Sequence, residues 1–208
     1  MAFVLEHLRE RHPGRPIGVI GFSLGGNVLL RFLGAREAEA RFLGACVAIS
    51  VPFDLEAGAR MLEETRAGRF YGNYFLRSLK GKARAKQRIL APVVDLARVL
   101  GARTIREFDE AATAPLHGFP SAEEYYREAS SAPVVSRVRV PTLILHAADD
   151  PFLPPEAIPR KDIDRNPWTL GAVTPRGGHV GFVEGGSGAT RFWAEREAAR
   201  YLGEVLGR

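Results

Sequence analysis

The stretch from Pro16 to Gly34 sets the tightest limit on the fold. Pro16-Ile17-Gly18-Val19-Ile20 is a short apolar run of the kind that lies buried in a sheet. Gly26-Asn27-Val28-Leu29-Leu30-Arg31-Phe32-Leu33-Gly34 reads as a helix stopped by glycine. Between them stands Gly21-Phe22-Ser23-Leu24-Gly25, a G-x-S-x-G pentapeptide. Strand, tight turn and helix together make this string a nucleophile elbow, with the Ser23 hydroxyl held on a strained turn above the sheet. Gly21 and Gly25 are expected to remove side chains where strand and helix crowd each other.

Three further apolar runs read as strands: Gly44 to Val51, Val140 to Leu145, and Trp168 to Val173. Helical patterns flank them. Residues 2–11 read as the end of an amphipathic helix with Phe3, Val4 and Leu8 on one face, and a closing helix runs from about Ala189 to Leu206. Alternating strands and helices imply α/β architecture, a mostly parallel sheet with helices on its faces. Residues 54–131 interrupt the alternation, for no strand signal occurs there. Leu55, Met61 and Leu62 mark one helix; Phe70, Tyr71, Phe75, Leu76 and Leu79 mark another; Ile89 to Leu100 is a third periodic stretch. Ser121 and Glu124 have capping-box spacing. The chain therefore reads as one domain, with a core of 1–53 and 132–208 and a helical lid inserted at 54–131.

Composition excludes several classes. At 208 residues and 46% hydrophobic content, the chain can bury a full core. Twenty-nine basic residues against 24 acidic ones give a net charge of +5, but the basic residues are scattered and no nucleic-acid motif appears. The alternating run Lys80, Lys82, Arg84, Lys86 and Arg88 spreads charge around a helix, which suits a solvated lid segment, and membrane association is not expected. The single cysteine, Cys46, lies in an apolar run and reads as a small core residue of a cytoplasmic protein. No His, Cys or carboxylate spacing suggests a metal site.

A serine becomes a nucleophile only beside a base, and that base needs an orienting group. The sequence His146-Ala147-Ala148-Asp149-Asp150-Pro151-Phe152-Leu153-Pro154 follows the third strand and offers two carboxylates. The sequence Arg176-Gly177-Gly178-His179-Val180-Gly181-Phe182 follows the last strand and offers a histidine between glycines. His7 and His12 flank a helix end, His146 ends a strand beside the acid loop, and His117 sits in the insertion, where it could line a pocket.

With these residues in view, the chain resembles the YheT-like branch of the α/β-hydrolase superfamily. The resemblance rests on the elbow through Leu30, on Val51-Pro52-Phe53-Asp54-Leu55, and on Arg106-Glu107-Phe108-Asp109. It rests also on Thr113 through Phe119, on Asp149-Asp150-Pro151-Phe152, and on Gly177 through Phe182. Aligning on His146 places the acid at Asp150, with Pro154 where that loop carries a proline. The resemblance implies an α/β-hydrolase fold and a serine hydrolase of carboxylic esters with short to medium acyl chains. Its triad would be Ser23, Asp150 and His179, with Leu24 N–H in the oxyanion hole and Phe22 and His117 touching substrate. No cofactor is implied, and the expected partner is a small-molecule ester. Only 20 residues precede Gly21, so the resemblance also implies that upstream strands are missing, together with a second oxyanion donor. An acyltransferase, an impaired fragment and an interaction module stand as alternatives. Oligomeric state is not legible.

Overall fold

The computed structural model describes residues 1–185 and 190–207. They form two compact units: residues 1–53 with 130–208, and residues 54–129.

The first unit is built on a four-stranded sheet. Its strands are β1 (Ile17–Phe22), β2 (Leu43–Ile49), β3 (Thr142–Ala147) and β4 (Thr169–Thr174). They lie in the order β1-β2-β3-β4, and every pair is parallel. Parallel neighbours require crossovers, which here bring helices onto both faces. On one face, Leu29, Leu30 and Leu33 of helix Leu24–Ala35 pack with Cys46 and Ala48 of β2 and Ile144 of β3. On the other, Ala194 and Ala198 of helix Trp193–Leu206 pack with Val47, Ile49, Leu143 and Leu145. The alternation of β2 and β3 side chains between two apolar layers explains why both strands are continuous hydrophobic runs. Burial holds the Cys46 thiol neutral, pushing its pKa up to about 12.

The outer strands are less covered. Ile20 and Phe22 of β1 and Leu170 of β4 are exposed. The helix Ala2–Arg11 forms over the expected residues but packs on a different face. Leu5, with Ala2 one turn before it, meets the core, whereas Phe3 is 85% exposed and Val4 and Leu8 also face outward. One turn of small and aliphatic side chains makes the contact, and the bulkier face is left open. The closing helix begins at Trp193, after a two-residue antiparallel pairing of Val183–Glu184 with Arg191–Phe192. The expected start at Ala189 lies outside the described residues.

The second unit is helical, with no strand among its residues. Asp54 caps helix Leu55–Glu64 by accepting from Ala57 N–H at 2.9 Å, and Thr65 caps helix Arg66–Ala85 by accepting from Gly68 N–H at 2.8 Å. Ser121 Oγ accepts from Glu124 N–H at 3.1 Å, one half of the expected capping box. The stretch Ile89–Leu100 is not one helix. Short helices Gln87–Leu90 and Leu96–Gly101 are separated by Pro92 and by Asp95, whose carboxylate caps the second. Apolar period alone did not register those two breaks. A core of Leu76, Val99, Phe108 and neighbouring alanines holds the unit together.

Candidate active site

β1 ends at Phe22 and the chain turns at Ser23, whose backbone adopts φ 50 and ψ −124. This is a costly conformation for a residue with a side chain. It is held from two sides. Ser23 N–H donates to Ile49 O at the end of β2 at 2.8 Å, and Gly26 N–H donates to Ser23 O at 2.9 Å. A Cβ on Gly21 would stand 2.6 Å from Gly25 O, and one on Gly26 would stand 2.8 Å from the Val51 side chain. A Cβ on Gly25 would meet open space. The close approach of strand and helix thus depends on Gly21 and Gly26, not on Gly21 and Gly25 as the motif suggests.

The loop after β3 presents the two carboxylates, and the structure gives them different partners. Asp150 is buried. Its Oδ1 accepts from Phe152 N–H at 2.9 Å, which fixes the turn, and its Oδ2 lies 2.8 Å from His179 Nδ1. Asp149 turns to the backbone instead. Its Oδ1 accepts from Gly177 N–H and Gly178 N–H, both at 2.9 Å. Gly178 has φ +64, so two successive amides converge on one oxygen.

His179 follows that pair directly. Its Nε2 lies 2.8 Å from Ser23 Oγ, and its ring meets the Phe152 ring edge-on at 4.7 Å between centroids. The structure therefore brings Ser23, His179 and Asp150 into one hydrogen-bonded line. With Nδ1–H donating to the carboxylate, Nε2 is the acceptor for the serine hydroxyl. That arrangement can remove a proton from Ser23 and hold the resulting imidazolium against Asp150.

The other expected site residues are placed less tightly. Leu24 is the first residue of its helix, and its N–H makes no hydrogen bond among the described residues. Phe22, just before the serine, is 41% exposed. His117 belongs to the helical unit, where it is exposed at the end of helix Ala114–Leu116. His146 does not support the acid loop through hydrogen bonds. It is wholly buried in β3, its ring lies 5.9 Å from that of Phe53, and neither ring nitrogen has a partner among the described residues. Burial lowers its pKa to about 4, outweighing the opposing pull of Asp150.

Sequence reasoning missed the role of Asp149. The available signal was the Gly177-Gly178 pair, two adjacent amides without side chains, next to a doublet of acids of which an imidazole needs only one.

Comparison with known proteins addresses the family and the fold. A family model described as the alpha/beta hydrolase family matches residues 2–190. The chain is 36% identical to the YheT protein of Escherichia coli over 99% of its length, covering 60% of that protein. It is 34% identical to a monoacylglycerol lipase of Saccharomyces cerevisiae, over 96% of this chain and 45% of the lipase. It is 31% identical to the human phospholipase ABHD3, over 88% of this chain and 44% of the phospholipase. The chain thus spans between 44% and 60% of the length of these relatives. Among solved structures, an esterase of Pyrococcus furiosus superposes with a TM-score of 0.52 at 17% identity, over 98% of this chain and 59% of the esterase. The 2,6-dihydroxy-pseudo-oxynicotine hydrolase superposes with a TM-score of 0.56 at 18% identity, over 98% of this chain and 45% of that enzyme. These superpositions speak to the fold.

Proposed function

The chain belongs to the alpha/beta hydrolase family, and from that premise we propose that it is a serine hydrolase of carboxylic esters with short to medium acyl chains. The observation that carries the proposal is the line Ser23 Oγ to His179 Nε2 and His179 Nδ1 to Asp150 Oδ2, 2.8 Å at each step. The names of the lipase and phospholipase relatives support the substrate class.

In the proposed mechanism, His179 takes the Ser23 proton as Oγ attacks the ester carbonyl. Leu24 N–H, unclaimed at the helix start, faces the charge that develops on the carbonyl oxygen. The protonated imidazole then passes its proton to the leaving alcohol. Water, deprotonated by His179, attacks the acyl-enzyme; the bond from Ser23 Oγ to the acyl carbon breaks, His179 returns the proton to Oγ, and the acid leaves. Asp150 keeps the ring in the required tautomer and stabilises its cationic form. Asp149 is a positioning residue in this scheme: it fixes the loop that carries His179. We assign residues 54–129 the role of a lid from their place in the chain, inserted between β2 and β3.

The test is labelling with a fluorophosphonate probe, read by peptide mass spectrometry, beside turnover of p-nitrophenyl esters of increasing acyl length. Modification at Ser23 that disappears in His179→Ala, with turnover of the shorter esters, is the expected result. A folded chain that takes no label would sink the proposal.

A further inference from the structure

Charge is segregated in this chain in a way the overall balance hides. Residues 66–94 hold eight of the 29 basic residues and none of the 24 acidic ones, so the remainder of the chain is acidic on balance. Most of this segment is the long helix Arg66–Ala85. One side of that helix, bearing Gly68, Gly72, Leu76 and Ala83, is buried. Another line of residues runs along it at alternating steps of four and three: Phe70, Tyr74, Arg77, Gly81 and Arg84. Phe70 is 70% exposed and Tyr74 67%, and beyond the helix Ile89 is 73% exposed.

The cations gather on and beside this line. Arg77, Lys80 and Arg84 fall at i, i+3 and i+7, which is one face, and Arg103 joins them from a separate element. Together with Asn73 and Leu76, these four line a groove of about 510 Å³. None of the four side chains has an ion-pair partner among the described residues; Glu107 accepts from the Arg103 backbone N–H. This grouping differs from the alternating run Lys80 to Arg88, read from the sequence as a solvated segment, because the helix ends at Ala85 and Lys86 and Arg88 lie beyond it.

We propose that this face docks on an anionic phospholipid surface, with Phe70 and Tyr74 entering the headgroup region and Arg77, Lys80, Arg84 and Arg103 meeting the phosphates. Cations alone would serve a dissolved anion equally well. The exposed aromatic side chains Phe70 and Tyr74, on the same helix as Arg77 and Arg84, suit a partner that offers both negative charge and hydrocarbon. No described helix is long and apolar enough to cross a membrane, so the contact would be peripheral.

Vesicle co-sedimentation of the full chain tests this without any turnover. Vesicles of phosphatidylcholine alone are compared with vesicles containing one-third phosphatidylglycerol. Binding to the anionic vesicles only, falling as salt rises, is expected. With each cation near the surface contributing about 1 kcal/mol, the double variant Arg77→Gln with Arg84→Gln should bind about 30-fold more weakly. Phe70→Ser with Tyr74→Ser should also weaken binding, while Arg196→Gln with Arg200→Gln, an equal change in net charge elsewhere, should not. Circular dichroism confirms folding, and the salt series on the unaltered chain gives a reading free of mutation. The proposal is overturned by failure to bind anionic vesicles or by binding indifferent to salt. It is equally overturned if the control variant loses as much as the groove variant, if the aromatic variant binds unchanged, or if inorganic phosphate displaces the vesicles completely at an ionic strength where chloride does not.

Discussion

The sheet unit and the helical unit each hold a carboxylate out of full solvent, Asp150 buried and Asp109 half-buried, and use them in opposite ways. In the sheet unit, Asp150 lies just past the end of β3, and one of its oxygens faces an imidazole. In the helical unit, Asp109 lies within the helical packing, where it accepts from Tyr126 OH at 2.7 Å and Thr113 Oγ1 at 2.5 Å. Burial raises the Asp109 pKa against these hydrogen bonds, and Arg106 stands over the Tyr126 ring at 5.3 Å. The difference teaches that residue type and burial do not by themselves mark a reacting group. Position does: the ends of parallel strands leave side chains free to meet one another, whereas a helix interior consumes a carboxylate's hydrogen-bonding capacity in holding its own turns.

The sharpest test of that contrast is chemical. Ser23→Ala should reduce ester turnover on the order of 10⁴- to 10⁶-fold, and Asp150→Asn about 10⁴-fold by favouring the wrong imidazole tautomer, both at nearly unchanged melting temperature. Asp109→Ala should show the reverse pattern. Leaving the Tyr126 hydroxyl buried without its acceptor should cost about 1–3 kcal/mol, read as a lower urea midpoint. If Asp109→Ala instead abolished turnover while stability held, the contrast between the units would break.

Acid stability probes the same distinction from a buried base. His146 binds its proton in the folded chain only near pH 4, whereas the unfolded chain binds it near the ordinary histidine value of 6.5. The unfolded state therefore holds more protons between those values, and stability falls as pH drops through that window, by up to about 3 kcal/mol. His146→Leu should flatten this slope in a series of melting curves, and an unchanged slope would rule His146 out as its source. The smallest expected effect belongs to Asp149. Asp149→Ala should lower kcat about 10- to 100-fold with little change in KM, because the loop carrying His179 loses two hydrogen bonds and a misplaced base is costly. Asp149→Asn keeps an acceptor oxygen and should restore most of the rate; equal damage from both variants would argue for a charge effect instead of loop positioning.

Much of the sheet unit was legible because its signals are local. The apolar runs became β1 to β4 within a few residues, and the elbow announced its turn through glycines, although Gly26 and not Gly25 meets the crowding. The surface of the first helix was misjudged because Phe3, Val4 and Leu8 form a plausible apolar face, yet which face finds a partner depends on what lies across from it. The helical unit was harder. Its helices were visible, but the break at Pro92 and Asp95 and the grouping of Arg77, Lys80 and Arg84 with Arg103 depend on where each helix stops.

By itself the sequence determined the parallel α/β pattern, the strained serine turn and the order of serine, acid and histidine along the chain. Those properties follow from hydrophobic period and from backbone constraints that neighbouring residues impose on each other. The loop pattern from His146 to Pro154 already favoured Asp150 as the acid, but only the tertiary structure gave Asp149 its partners. Asp149 and Asp150 have the same side chain, and both suit a turn. The curl of the loop after β3 aims one at the imidazole of His179 and the other at the amides of Gly177 and Gly178, residues 28 or more positions away in the chain. The contact of Asp149 with those amides rests on distances across the fold, which no local pattern encodes.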